Sequence, residues 1–159
     1  MSGDALPDDA LSDDTLPGAV LFACSLNTVR SPMAEALTRF LFGKSMRVES
    51  VGLRAGEPDG FAICVMDEAG MSLMRHMPRT FEDLEAFDFD LVVTLSPEAH
   101  HKALEFTRDK AVAVEYWPTM DATGIDGARE QKLEAYRAVR DGLMSRIKHR
   151  FGWRPFGND

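Results

Sequence analysis

Val20-Leu21-Phe22-Ala23-Cys24-Ser25-Leu26-Asn27-Thr28-Val29-Arg30-Ser31-Pro32-Met33-Ala34-Glu35-Ala36 is the stretch on which the fold turns. It opens with a continuous apolar run, as expected of a strand covered on both faces. It closes with Ser31-Pro32, which reads as an N-cap followed by proline at the first helical position. Met33, Leu37, Phe40 and Leu41 then recur at helical spacing until Gly43 ends the run. A loop between such a strand and helix turns several backbone N–H groups inward, and the helix dipole reinforces the anion cradle so formed. Arg30 returns to that cradle with two parallel donors matched to phosphate oxygens. Cys24 lies on its floor, where the surrounding positive groups favour the thiolate, the nucleophilic form. Residues 24–31 therefore predict a phosphate-binding loop with Cys24 as nucleophile and Arg30 as clamp. Ser25, Leu26, Asn27, Thr28, Val29 and Ser31 complete its wall.

Outward from this loop, apolar runs and helical patterns alternate. Met46–Val51 reads as a second strand, and a helix from about Gly60 to Ala69 presents Phe61, Cys64, Val65 and Ala69 before Gly70. Asp90–Leu95 is the clearest strand, followed by a second Ser-Pro helix start at Ser96-Pro97 and a helix to about Arg108. A strand at Ala111–Glu115 leads to a long last helix with Leu133, Tyr136, Leu143, Ile147 and Phe151 on one stripe. This alternation predicts an α/β fold, a parallel sheet flanked by helices on both faces. In such sheets the ligand sits beyond the carboxyl ends of the strands, where the winding direction switches. The loop at 24–31 occupies such a position.

Composition narrows the function classes. The chain has 159 residues, enough for one domain, and its formal net charge is −8. That balance excludes general nucleic-acid and anionic-membrane binding, which need basic surfaces. No apolar run reaches the ~20 residues of a spanning helix. Two cysteines are too few for a disulfide scaffold and suit a reducing cytoplasm. Residues 1–18 carry Asp4, Asp8, Asp9, Asp13 and Asp14, with no Lys or Arg, and read as a disordered acidic tail. The domain proper is expected over 19–159. Adjacent His100 and His101 point in different directions on a helix and lack the companions of a metal site. Cys64, on an apolar stripe, reads as a free core cysteine. Neither metal nor cofactor is expected.

The stretch from Val20 to Cys24, with Asn27 and Arg30-Ser31-Pro32-Met33-Ala34-Glu35-Ala36, resembles the signature of the low-molecular-weight protein tyrosine phosphatases. Val48-Glu49-Ser50-Val51-Gly52 is similar to that family's second strand, and Gly70-Met71-Ser72-Leu73 with His76 to its Gly-Ile-x-Leu-x-x-His segment. The resemblance implies a four-stranded parallel sheet and a phosphomonoester hydrolase working through a phosphocysteine intermediate. Its substrate would be a phosphorylated protein or a small phosphate ester, with inorganic phosphate as product. By position, Ser31 would donate to the thiolate, and Asn27 would hold the loop strained with support from Ser50 and His76. The family's general acid is an Asp before the last helix, followed by Pro and aromatics. Asp121 stands in that stretch; Asp126 is the alternative, although it also suits a helix N-cap.

The chain departs from the family pattern at four places. Leu26 replaces the usual Gly, Val29 replaces a second Cys, and Ala122-Thr123 replace the Pro and first aromatic. The last two thin the wall that grips a phenyl ring, unless Tyr116 or Trp117 supplies one from another side. The same cradle also serves thioredoxin-coupled arsenate reductases, whose relay needs three ordered thiols. A non-catalytic phosphate-binding module is the third reading.

Overall fold

The computed structural model describes residues 16–155. Four parallel strands, β1 (Ala19–Cys24), β2 (Arg47–Gly52), β3 (Leu91–Thr94) and β4 (Ala113–Tyr116), form one sheet in the order β2-β1-β3-β4. The helices are α1 (Arg30–Phe42), α2 (Gly60–Glu68), α3 (Pro97–Phe106) and α4 (Arg129–Phe151), with short 3₁₀ turns at Phe81–Asp83 and Ala122–Gly124. This is the expected α/β fold.

Every residue of β1 is buried, which explains its unbroken apolar run. Alternate side chains enter opposite layers. Val20, Phe22 and Cys24 pack with residues of α1, α2 and α4, whereas Ala19, Leu21 and Ala23 pack with Phe81, Phe89 and with Ala99 and Ala103 of α3. The chain passes from β1 to β2 on one side and later to β3 on the other, so the winding direction switches at the carboxyl end of β1. Cys24 ends that strand.

Several local expectations are corrected. Ser31 is not the N-cap of α1. The helix begins at Arg30, Val29 holds the cap position, and no side chain caps it. The Ser31 hydroxyl is spent on the loop instead. Phe40 does not join the core stripe; it is 64% exposed, while Met33, Ala34, Leu37 and Phe42 are buried. Asp126 does not cap α4, which starts at Arg129 with Ala128 before it and the Ala128 N–H donating to Gln131 Oε1 (2.8 Å). Ser96-Pro97 does start α3 as expected, with Ser96 Oγ accepting the Ala99 N–H (3.2 Å). Of the expected tail, residues 1–15 lie outside the described residues. Leu16 packs against the core, and the Gly18 carbonyl accepts the Arg47 N–H (2.9 Å).

Candidate active site

The loop between β1 and α1 is held by its own polar residues. Asn27 is the one described non-glycine residue with positive φ (58°), a conformation that costs most side chains stability. It is fully buried, and every polar arm is tied down. Asn27 Nδ2 donates to Ser31 Oγ (2.8 Å) and Ser50 Oγ (2.9 Å), and Oδ1 accepts the Arg79 N–H (2.9 Å). The Asn27 carbonyl lies 2.9 Å from His76 Nε2 and accepts its proton. Ser50 and His76, the expected supports, thus both contact Asn27. Two further supports escaped the sequence reading. Glu35 Oε1 accepts from Ser50 Oγ (2.6 Å) and lies 4.0 Å from His76 Nδ1, and Arg79 fastens Asn27 through its backbone. Glu35 was legible as part of the motif; Arg79 binds through its main chain, which no side-chain pattern reveals.

This scaffold delivers two donors to the sulfur. Ser31 Oγ lies 2.9 Å from Cys24 Sγ, and the Ser31 N–H points to the same atom at 3.4 Å. Since Ser31 Oγ already accepts from Asn27, its single proton is free for Cys24 Sγ or, at 3.3 Å, the Val51 carbonyl. The nearer sulfur wins when it is a thiolate, because an ionised acceptor strengthens the bond. Cys24 is only 2% exposed and ends β1 at the base of the loop.

The loop's outward carbonyls are strapped by residues 53–56. Leu53 N–H donates to Ser25 O (2.9 Å), Arg54 N–H to Ser25 O (3.0 Å) and Gly56 N–H to Leu26 O (3.0 Å). This strap needs glycine at 52, where a Cβ would lie 2.7 Å from the Asn27 nitrogen and 2.8 Å from the Arg54 carbonyl oxygen. Both obstacles are backbone. Gly52→Ala should therefore cost ~1–3 kcal/mol, as overpacked sites do, and weaken oxyanion binding as well. Urea unfolding and a vanadate titration of the same variant measure the two effects; unchanged values in both would remove Gly52 from this role.

Arg30 enters from the start of α1. Its Nη1 donates to the Thr119 carbonyl (3.0 Å), and Nη2 lies 4.0 Å from Asp121 Oδ2. Arg30 and Asp121, far apart in sequence, are thereby brought together, and Arg30 closes the loop that Cys24 opens. Asp126 is exposed and touches none of them through any described bond. Asp121 starts the 3₁₀ turn at Ala122–Gly124, where Oδ1 accepts from the Thr123 N–H (3.0 Å) and hydroxyl (2.6 Å). Partial burial pushes its pKa up, but the Thr123 hydroxyl and N–H and the Arg30 charge outweigh this, so the carboxyl sits below its ordinary range. Ser25, Arg30, Leu53, Arg54, Ser96, Pro97, Glu98, Thr119 and Asp121 line an open cleft of ≈ 500 Å³. A forked cation and a carboxyl lining one cleft can hold and protonate a phosphate ester, and the thiol at the base of the adjoining loop can attack it.

The family model for low molecular weight phosphotyrosine protein phosphatases matches residues 19–151. The chain belongs to that family. Proteins of more than one named activity resemble it. A curated arsenate reductase of Bacillus licheniformis is 30% identical over 129 residues, covering 81% of this chain and 91% of the relative. A solved arsenate reductase in its reduced state superposes with a TM-score of 0.68 at 27% identity, covering 84% of this chain and 96% of that one. The tyrosine phosphatase Wzb from Escherichia coli K30, solved with sulphate, superposes at 0.70 with 22% identity, covering 84% and 95%. That last likeness speaks for the fold alone.

The remaining sequence candidates fall elsewhere. His100 Nδ1 pairs with Thr94 Oγ1 (2.9 Å) and its ring stacks on Tyr116 (4.9 Å), while His101 lies 3.5 Å from Glu105 on the surface. Among the described residues, no group of three or more His, Cys, Asp or Glu is arranged to hold a metal. Trp117 is buried edge-on against Phe22 (6.0 Å), so neither it nor Tyr116 lines the cleft. No described helix is long and apolar enough to cross a membrane.

Proposed function

We propose that the protein is a phosphomonoester hydrolase acting through a phosphocysteine. The observation that carries this reading is the meeting of Arg30 and Asp121 at one cleft, beside the loop opened by Cys24, whose sulfur is hydrogen-bonded to Ser31. The non-bridging oxygens of the ester accept from the loop N–H groups and the Arg30 fork. Cys24 Sγ attacks phosphorus, the P–O ester bond breaks, and Asp121 gives its proton to the departing oxygen. The dianionic ester opposes ionisation of the adjacent carboxyl, which offsets the pull of Thr123 and Arg30. Asp121 then takes a proton from water, whose oxygen attacks phosphorus and breaks the S–P bond. Inorganic phosphate leaves, and the Ser31 hydroxyl stabilises the returning thiolate. The partner is a phosphorylated protein or small phosphate ester, no cofactor takes part, and a reducing cytoplasm keeps Cys24 free. Rapid acid quenching during turnover of a nitrophenyl phosphate, with mass analysis for one phosphate on Cys24, tests the reading. Turnover with no phosphate on that peptide rejects it.

Arsenate reduction is the second reading, favoured by the similarity to the Bacillus licheniformis enzyme. Reducing arsenate to arsenite takes two electrons, hence two thiols. The chain offers Cys24 and Cys64; both are free, and Cys64 is half-buried on α2 with no described bond to Cys24. A second thiol would then come from a small molecule or another protein. Arsenate-dependent loss of glutathione or thioredoxin thiols, absent in Cys24→Ser, distinguishes this reading.

Val29 bears on oxidation under either reading. It is 5% exposed within the loop, where a second cysteine could trap an oxidised Cys24 as a disulfide. Val29→Cys should raise the fraction of activity that dithiothreitol restores after a peroxide pulse. Equal recovery in the parent protein, with no Cys24–Cys64 link by mass spectrometry, contradicts this.

A further inference from the structure

The mouth of the cleft has an unusual composition for a site that would hold a phenyl ring. None of its lining residues is aromatic. The candidates nearest in sequence are occupied elsewhere, Trp117 in the core beneath the Arg146 guanidinium (5.0 Å) and Tyr116 on His100 (4.9 Å). Two full charges stand there instead. Arg54 follows β2 on one wall, and Glu98 lies in the first turn of α3 on the other. Both are exposed, and neither side chain is bonded to another described residue.

Arg54 is not a loosely placed surface cation. Its N–H and that of Leu53 bind Ser25 O at 3.0 and 2.9 Å, and Gly56 N–H binds Leu26 O at 3.0 Å. Its Cα therefore keeps a fixed relation to the loop that would hold the phosphate. Arg39, Arg47, Arg79, Arg137, Arg140 and Arg150 each pair with a carboxylate. At the cleft, Arg30 reaches toward Asp121 while Arg54 keeps its whole fork available. On the opposite side Asp121 and Glu98 repel any further anion. A second negative group on a bound ester is thus attracted to one wall and excluded from the other.

We propose that Arg54 selects the substrate class: a phosphomonoester whose non-aromatic leaving group carries a second anion, carboxylate or phosphate, beside the scissile phosphate. This rests on the phosphomonoesterase reading and specifies its leaving group. The anion belongs either to a small ester or to an acidic side chain flanking a phosphorylated residue; the chemistry at Arg54 is the same.

The test compares phosphoglycolate with ethyl phosphate, which differ by a carboxylate in place of a methyl group. The ratio of their kcat/KM values is the readout. It should favour phosphoglycolate by about tenfold, the scale of one charge-assisted bond at a solvated site. The ratio should fall with added salt. Arg54→Ala should bring it near one, Arg54→Glu should invert it, and Glu98→Gln should increase it. A phosphoserine peptide with flanking aspartates, set against one with flanking alanines, locates the anion: a larger Arg54-dependent ratio than for the small pair assigns it to peptide, a smaller one to the free ester. A ratio near one in the parent protein, or one unmoved by Arg54→Ala, overturns the proposal. Should no ester be hydrolysed, nitrophenyl phosphate included, the phosphomonoesterase reading fails by itself. Competition of phosphoglycolate and ethyl phosphate against vanadate on Cys24→Ser then decides the role of Arg54 by the same ratio.

Discussion

Cys24→Ser should abolish turnover of a nitrophenyl phosphate and still bind vanadate or phosphate. The substitution exchanges sulfur for oxygen and little else. The donors of residues 24–31, the Arg30 guanidinium and the Asn27 supports do not depend on the sulfur. Oxyanion affinity should therefore survive within a few-fold. A serine hydroxyl is almost wholly protonated at neutral pH, and the described hydrogen bonds of the Cys24 sulfur run to Ser31, not to a histidine or lysine that could deprotonate a hydroxyl there. Loss of a nucleophile elsewhere has cost ~10⁶-fold, so activity should drop to the limit of detection. Steady-state kinetics and a vanadate titration on one preparation separate the two effects. Near-parental turnover would remove Cys24 from the mechanism. Loss of turnover and binding together, with an unaltered urea midpoint, would make the sulfur an element of the cradle rather than the nucleophile.

The parts of the site that the sequence revealed are those fixed by local rules. Strand, loop and helix over residues 20–36 are contiguous, and each follows from spacing or from one residue's backbone preference. The parallel sheet was legible for a similar reason, since alternating apolar runs and helical stripes leave few other ways to bury both faces of β1. What escaped depended on partners distant in the chain. Ser31 looked like a cap because Ser-Pro is a cap signal; its hydroxyl instead faces Cys24 and Asn27, which together outcompete a helix end that Val29 leaves uncapped. Phe40 obeys the helical period and is still exposed, because the period fixes a direction and the neighbouring elements decide whether that direction is covered. Arg79 serves through its N–H, and Gly52 through the side chain it lacks. Trp117 and Tyr116 could be placed near the cleft by sequence, but their rings were claimed by Phe22 and His100.

Asp121→Asn should slow esters of poor leaving groups much more than esters of good ones. Asparagine keeps the oxygen that accepts from the Thr123 N–H and hydroxyl, so the turn at Ala122–Gly124 is preserved while the ionisable proton is lost. Protonation matters most when the departing alkoxide is basic, and a positioned acid contributes ~10²–10⁴-fold. An alkyl or unsubstituted phenyl phosphate should lose activity on that scale. A nitrophenolate departs unaided, so its ester should retain more, limited by phosphocysteine hydrolysis, in which the same carboxylate serves as base. Asp126→Ala should show no leaving-group dependence and, at an exposed site outside the α4 cap, change stability by less than ~0.5 kcal/mol. The pH profile supplies an independent check. Because Thr123 and Arg30 hold the Asp121 carboxyl below its ordinary range, its contribution to stability is full above that range and disappears as pH falls through the folded value. Thr123→Val removes the 2.6 Å hydroxyl bond, so the kinetic limb belonging to Asp121 should move to higher pH, while Asp121→Asn should erase that limb. If the leaving-group dependence appears in Asp126→Ala instead, the acid is Asp126, although no described bond joins it to Arg30. If it appears in neither, no carboxyl of this stretch protonates the leaving oxygen, and the cradle binds phosphate without hydrolysing it efficiently.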